Sequence, residues 1–255
     1  MGKGDGTDTW NWSGRYWTQV GKNGPSDRFN AAIAFDGEKV ILHGGYKNLG
    51  TGIWFNETWS WDGQDWTKLN DQGPSRTGHV MAYDERRNRV VLFGGANKGY
   101  WPDTWEWDGI EWTQVAETGP SARVGSVMAY DTVSERMILF GGSNCPNDTW
   151  EWDGTEWTQV SDMGPAARET HSLASSPSGI ILFGGGIPKD ATRSTWNYLG
   201  DTWLWQDNYW TQVQNSGPTA RANHAMAFDT LRQCVVLFGG FNGNGIGDTW
   251  ELWEK

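Results

Sequence analysis

Three observations predict an all-β fold of five four-stranded blades, a five-bladed β-propeller. An Asp-Thr-Trp triplet or near copy begins at Asp8, Glu57, Asp103, Asp148, Asp201 and Asp248, at steps of 49, 46, 45, 53 and 47 residues, and self-similarity at such a period marks repeat architectures. Asp-Gly pairs at Asp62-Gly63, Asp108-Gly109 and Asp153-Gly154 separate short alternating aromatic segments, the signal of a tight hairpin. An apolar run ending in a glycine pair recurs at Gly44-Gly45, Gly94-Gly95, Gly141-Gly142, Gly184-Gly185 and Gly239-Gly240.

The third copy shows the elements in order. Trp105-Glu-Trp107 and Trp112-Thr-Gln-Val115 alternate with period two and read as strands. The Asp-Gly between them predicts a two-residue turn with φ > 0 at both positions. Val127-Met-Ala-Tyr130 is a further strand, and Met137-Ile-Leu-Phe140 is apolar throughout, as a strand buried on both faces is. The glycine pair then ends the strand where the backbone turns or packs closely.

Composition agrees. Hydrophobic residues make up only 37% of the chain, but 20 Trp supply large burial per residue and 35 Gly supply the turns. The formal net charge of −11 comes with no basic stripe, so nucleic acid is excluded as a partner. No apolar run approaches 18 residues, so no membrane insertion is expected. The start, Met-Gly-Lys-Gly-Asp-Gly, has no apolar core of a signal peptide. Such a start can replace a removed leader, so export stays open and the compartment is undetermined. Cys145 and Cys234 are the only cysteines and make no disulfide framework; two free thiols are expected.

Glycine pairs after apolar strands, each followed by a Trp pair, resemble the kelch repeat, in particular the bacterial kelch proteins related to the galactose oxidase central domain. The resemblance covers essentially the whole chain, read as one domain over residues 1–255. It implies fold more than function, since this fold hosts many activities.

Numbering strands outward, inner strands start near Asn30, His79, Ser126, His171 and His224, and outer strands run near Trp17, Trp66, Trp112, Trp157 and Trp210. Third-strand triplets number six, with a partial copy at 248. The last blade is therefore expected to be closed by the N-terminal outer strand, Tyr16–Val20, with Trp250 rather than Trp10 at its third position. Pairing the two ends would remove open edges; the alternative is that the chain is a piece of a longer repeat array.

Loops between second and third strands lie on one face, the upper face, and vary widely in length, as binding loops on a rigid scaffold do. Of the 20 Trp, 16 fall on repeated positions. Trp54, Trp101, Trp196 and Trp253 do not, and the first three lie in upper loops. With Tyr46 they suit stacking against sugar rings or enclosing a peptide side chain; the alternative is that they cap the core.

Gly-Pro-x-x-Arg or a close variant places Arg28, Arg76, Arg123, Arg168 and Arg221 where inner strands begin. Arginine suits bidentate capture of a ligand carboxylate. A residue present in every blade equally suits bonding within each blade, to a local carboxylate. His79, His171 and His224 share one register; three histidines can hold a divalent metal, but these belong to separate blades, and a structural role is the alternative. Asn30, Thr170 and Asn223 replace the glycine of the other two blades. Glu169 with His171 could form an acid–base pair, or Glu169 could pair with an arginine. The fourth upper loop, with Lys189, Asp190, Arg193, Trp196 and Tyr198, is a candidate partial lid.

No nucleophile motif, phosphate-binding loop or closely spaced metal ligands are present, so neither cofactor nor metal is expected. The leading expectation is a binding module that holds a glycan or an acidic peptide through Arg28, Arg76, Arg123, Arg168, Arg221, Asn30, Asn223, His79, Tyr46, Trp54, Trp101 and Trp196. One alternative is an enzyme acting on a sugar acid, with Glu169, His171 and His224 as the catalytic groups. The resemblance implies a mutarotase-like or metal-dependent form of it. Another is a protein–protein scaffold without a small ligand.

Overall fold

Alternation of aromatic and polar residues over four or five positions, punctuated by Gly and Asp, makes short antiparallel strands. The computed structural model describes residues 8–21, 24–47, 52–143, 147–214 and 217–253. Cys145 lies outside them; Cys234 is a buried free thiol. Among the described residues all regular elements are strands, and no helix is long and apolar enough to cross a membrane. The fold is the expected five-bladed propeller, and the chain forms two compact units, Met1–Val115 and Ala116–Lys255.

The first unit starts with a hairpin, β1 (Thr9–Trp12) and β2 (Trp17–Gly21). Blade 1 follows as β3 (Ala32–Phe35), β4 (Val40–His43), β7 (Thr58–Trp61) and β8 (Trp66–Asn70), with the small ladder β5 (Tyr46–Lys47) and β6 (Ile53–Trp54) in its upper loop. Blade 2 is β9 (Val80–Asp84), β10 (Arg89–Phe93), β11 (Thr104–Trp107) and β12 (Trp112–Ala116).

In the second unit, blade 3 is β13 (Val127–Asp131), β14 (Arg136–Phe140), β15 (Thr149–Trp152) and β16 (Trp157–Ser161). Blade 4 is β17 (Ser172–Ser176), β18 (Gly179–Phe183), β21 (Thr202–Gln206) and β22 (Tyr209–Gln214), with the ladder β19 (Gly186–Pro188) and β20 (Trp196–Tyr198) in its upper loop. Blade 5 is β23 (Ala225–Asp229), β24 (Cys234–Phe238) and β25 (Thr249–Trp253).

Two expectations are corrected. Among the described residues β23, β24 and β25 form a three-stranded sheet, with Trp250 at the third position as expected, but β2 is paired with β1 and not with β25. The first Asp-Thr-Trp copy stands next to β2 in sequence, so the local hairpin closes at the smallest loop entropy. The Asp-Gly connections are also not two-residue turns. Each spans four residues, and only the glycine has positive φ, as at Gly109 (φ 100°). The aspartate oxygen accepts the next backbone amides instead: Asp108 Oδ1 accepts Ile110 N at 2.8 Å and Glu111 N at 2.9 Å. The two-residue turn with both φ positive occurs at Asp207 (53°) and Asn208 (65°).

Blades pack small against large. In the first unit Ala32 and Ala34 belong to a core cluster with Met81, Val90, Leu92 and Trp107. In the second, Ala129 packs with Leu173, Ile180, Leu182 and Trp205. Fully burying such side chains contributes about 1.5–3 kcal/mol each. Neighbouring blades are also linked through backbone. Gly45 N donates to Arg76 O at 2.9 Å, Gly142 N to Arg168 O at 2.9 Å and Gly185 N to Arg221 O at 2.8 Å.

Candidate functional site

The arginines resolve first. Each guanidinium lies inside its own blade and donates to the carbonyl of the first glycine of the pair and to the carboxylate that opens the third strand. Arg123 donates to Gly141 O at 3.1 Å and to both Asp148 oxygens at 2.9 Å. Arg76 does so with Gly94 and Asp103, and Arg168 with Gly184 and Asp201. Arg221 pairs with Gly239 and Asp248, and Arg28 with Gly44 and Glu57. The same carboxylate accepts the indole N–H two residues on, as Asp148 does from Trp150 and Asp201 from Trp203. Burial would raise the Asp103 and Asp201 carboxyls, but the hydrogen bonds from arginine and indole outweigh it and hold both below the usual range. These guanidiniums are spent on structure, which removes the basis for carboxylate capture by a ring of free arginines.

The histidines of the shared register are wedges. His171 stands edge-on to Phe140 at 5.5 Å, His224 to Phe183 at 5.4 Å and His79 to His43 at 5.6 Å. Burial holds His79 and His171 well below the ordinary value and His224 at about 4, with neighbouring arginines acting in the same direction. The His43 and Phe183 carbonyls oppose this for His79 and His224, but without hydrogen-bond geometry, and among the described residues no ring nitrogen of the three has a hydrogen-bond partner. Among the described residues no group of three His, Cys, Asp or Glu is placed to hold a metal.

Glu169 and His171 do not meet as acid and base. The Glu169 carboxylate is held by Arg193 of the fourth upper loop, with Nη1 2.6 Å from Oε1. Burial raises the Glu169 carboxyl, and Arg193 opposes it. Arg193 thereby ties its loop to the blade, and its carbonyl accepts the Trp196 indole N–H at 3.0 Å. Asp190 gathers the rest of the loop, accepting Ser194 N at 3.2 Å and Thr195 N at 3.1 Å.

That ordered loop forms one wall of a cavity of about 280 Å³, lined by Thr170, Ser194, Trp196, Tyr198, Ala222, Asn223 and Phe241. Tyr198 and Phe241 meet edge-on with centroids 6.2 Å apart. Three rings therefore face two hydroxyls and an amide. Trp196 and Asn223 were legible candidates; Phe241, Ser194 and Ala222 were not. The available signal for Phe241 was its place directly after a glycine pair, where blade 1 carries Tyr46.

The substituted glycine positions are special for backbone reasons. Asn30, Thr170 and Asn223 have φ of 50°, 54° and 55°, and Gly78 and Gly125 have 64° and 67°. All five are left-handed because each links to its neighbour in the register. Gly78 N donates to Asn30 O, Thr170 N to Gly125 O and Asn223 N to Thr170 O, at 2.9–3.0 Å. Asparagine tolerates this conformation; for β-branched Thr170 it is strained.

In the first unit, Trp54 is half-buried on β6, and Tyr46 stacks with Phe29 at 5.6 Å. Trp101 is 41% exposed, and its indole N–H donates to Asn97 Oδ1 at 3.1 Å. Its ring lies 5.8 Å from the Arg76 guanidinium.

A family model, the attractin/LZTR1 β-propeller, matches residues 4–250. The chain belongs to the attractin/LZTR1 β-propeller family. This agrees with the kelch-like blade motif, and propellers of this family typically mediate protein interactions. Among curated proteins none matches the chain.

Proposed function

We propose that this attractin/LZTR1-type chain, one propeller domain over residues 1–255, is a ligand-binding module that holds a neutral glycan segment in the cavity of blades 4 and 5. The observation that carries the reading is the lining: Trp196, Tyr198 and Phe241 opposite Thr170, Ser194 and Asn223. Aromatic faces stack on sugar rings while hydroxyl and amide groups take their hydroxyls. The volume is near the lower end for ligand sites, about 300 Å³, which suits one ring of a longer glycan. An acidic peptide loses its support, because the arginines that would capture it are neutralised and the chain carries net charge −11. The sugar-acid enzyme reading loses its acid–base pair, since Glu169 is engaged by Arg193 and the histidine rings are buried. The blade motif's likeness to the galactose oxidase group belongs to this proposal as well.

Calorimetric titration of a neutral oligosaccharide panel tests it. Binding should be saturable and weaken at least tenfold in Trp196→Ala and in Phe241→Ala. A flat panel sinks the glycan reading.

Exposed aromatics favour a second reading for the first unit. Phe29, Tyr100 and Trp101 are 51%, 56% and 41% exposed, and aromatics on a rigid frame are typical anchors for a protein partner. Replacing Tyr100 and Trp101 with Ser and recovering the same partners by crosslinking would exclude it.

A further inference from the structure

Blades 2 and 5 carry the same tight upper loop after their glycine pair, and the two copies differ in chemistry. In blade 2, Asn97 N donates to Gly99 O at 3.1 Å and Trp101 N to Gly95 O at 3.0 Å. In blade 5, Asn242 N donates to Asn244 O at 3.2 Å and Ile246 N to Gly240 O at 2.9 Å. The residue after the first asparagine is Lys98 in one copy and Gly243 in the other. Asparagine loses its side-chain amide most readily when glycine follows, because no side chain shields the next backbone nitrogen.

The surroundings widen the difference. Asn97 is half-buried and its side chain is held at three points. Its Nδ2 donates to Ser75 O at 2.9 Å, and its Oδ1 accepts the Trp101 indole N–H at 3.1 Å and the Lys98 amide. Asn242 is exposed, and among the described residues its Nδ2 has no hydrogen-bond partner. Its Oδ1 accepts Asn244 N at 3.4 Å, a long Asx-type contact that turns the side-chain carbonyl back along Gly243. Among the described residues Gly243 N donates to nothing. Gly243 has φ of 109°, and a Cβ there would meet nothing within 4 Å. Its nitrogen is open to solvent base and unobstructed.

We propose that Asn242 is a self-modification site, converted to an aspartyl or isoaspartyl carboxylate with Gly243 as the internal nucleophile. Base removes the Gly243 amide proton, and the nitrogen bonds to Asn242 Cγ. The Cγ–Nδ2 bond breaks, and ammonia leaves with a proton. Water then opens the cyclic imide at either carbonyl. No oxidant or cofactor enters, and asparagine is among the thermolabile residues for this reason. The product matters because Phe241 pairs with Gly245 across this loop and lines the cavity beside Tyr198. An isoaspartyl link adds a methylene to the main chain between the paired residues, and the new carboxylate adds to a net charge of −11. The converted loop therefore displaces Phe241 and weakens ligand binding. That consequence rests on the glycan reading; the modification itself does not.

Peptide mapping of the full chain after incubation in warm, mildly alkaline buffer tests it, with fragmentation that separates isoaspartate from aspartate. We expect the mass gain of amide-to-acid exchange at Asn242, faster as pH rises, with Asn97 intact in the same samples. Gly243→Ala should slow the conversion at least tenfold. A free peptide of residues 239–247 sets the reference rate. Asn242 that stays intact in the chain while the peptide converts overturns the proposal, as does equal conversion at Asn97 or conversion that begins at Asn244. Calorimetry then compares fresh and converted protein on the oligosaccharide panel. Weaker binding by the converted protein supports the consequence for the cavity, and equal binding overturns it. Failure of the fresh protein to bind sinks the glycan reading and leaves the mass result standing.

Discussion

Arg123 donates to both carboxylate oxygens of Asp148 at 2.9 Å, and its side chain is wholly buried. Arg76, Arg168 and Arg221 repeat the clamp in their blades, and in the first blade Arg28 meets one oxygen of Glu57. The clamp ties the start of an inner strand to the start of the third strand, so one ion pair fixes the upper end of a whole sheet. Removing one partner of such a pair leaves an uncompensated buried charge and costs about 3–5 kcal/mol.

Arg123→Ala should therefore destabilise the chain by about 3–5 kcal/mol in urea unfolding. The double change Arg123→Met with Asp148→Leu should cost less than either single change, because no lone charge remains. A double variant at least as unstable as the singles would contradict this account.

The indole of Trp210, which donates to the Thr149 hydroxyl at 2.9 Å, gives a smaller effect. Thr149→Val keeps the shape and orphans a buried N–H, at about 1–3 kcal/mol. Trp210→Ala also leaves a cavity against Phe140 and should cost about 3–5 kcal/mol. Thermal unfolding of both variants checks the order.

Acid should destabilise the fold early. An unfolded histidine titrates near 6.5, whereas burial holds His43 and His224 at about 4 and His79 and His171 well below the ordinary value. Between these values the unfolded chain takes up protons that the folded chain does not. The histidine contribution is complete above pH 6.5 and is lost as pH falls towards 4, at about 1 kcal/mol per pH unit for each group. Asp103 and Asp201, held low by their arginines, extend the loss below pH 4. Melting temperature measured from pH 8 to 4 should fall steeply below 6.5, and His224→Ser should fall less steeply. A flat profile from 6.5 to 5 would refute the assignment.

Thr170 at φ 54° stands where blades 2 and 3 carry glycine. Relief of strain at such a residue is worth about 1 kcal/mol. Thr170→Gly should raise the melting temperature and, if the cavity binds glycan as proposed, weaken that binding. Calorimetry on the same variant reads both.

Much of this was legible beforehand. The period fixed the number of blades, and the glycine pairs and Trp-x-Trp segments fixed strand order, because alternation and turn residues act locally. The arginine ring was legible as a pattern but not in its use: Gly-Pro-x-x-Arg cannot show that the carboxylate at 148 lies within reach of Arg123, some 25 residues away. The Asp-Gly turns differed because an aspartate oxygen that caps two amides outcompetes the two-residue geometry. Phe241 and Ser194 entered the cavity unannounced, since loop position in sequence does not encode which rings converge.

The sequence by itself therefore determined the all-β architecture, the five repeats and the strand order within each blade, since these follow from periodicity, backbone freedom and side-chain alternation. Only the tertiary structure decided which carboxylate each arginine meets and which loop aromatics share a cavity. Those outcomes depend on contacts between segments tens of residues apart, where desolvation and geometry, rather than local preference, choose the partner.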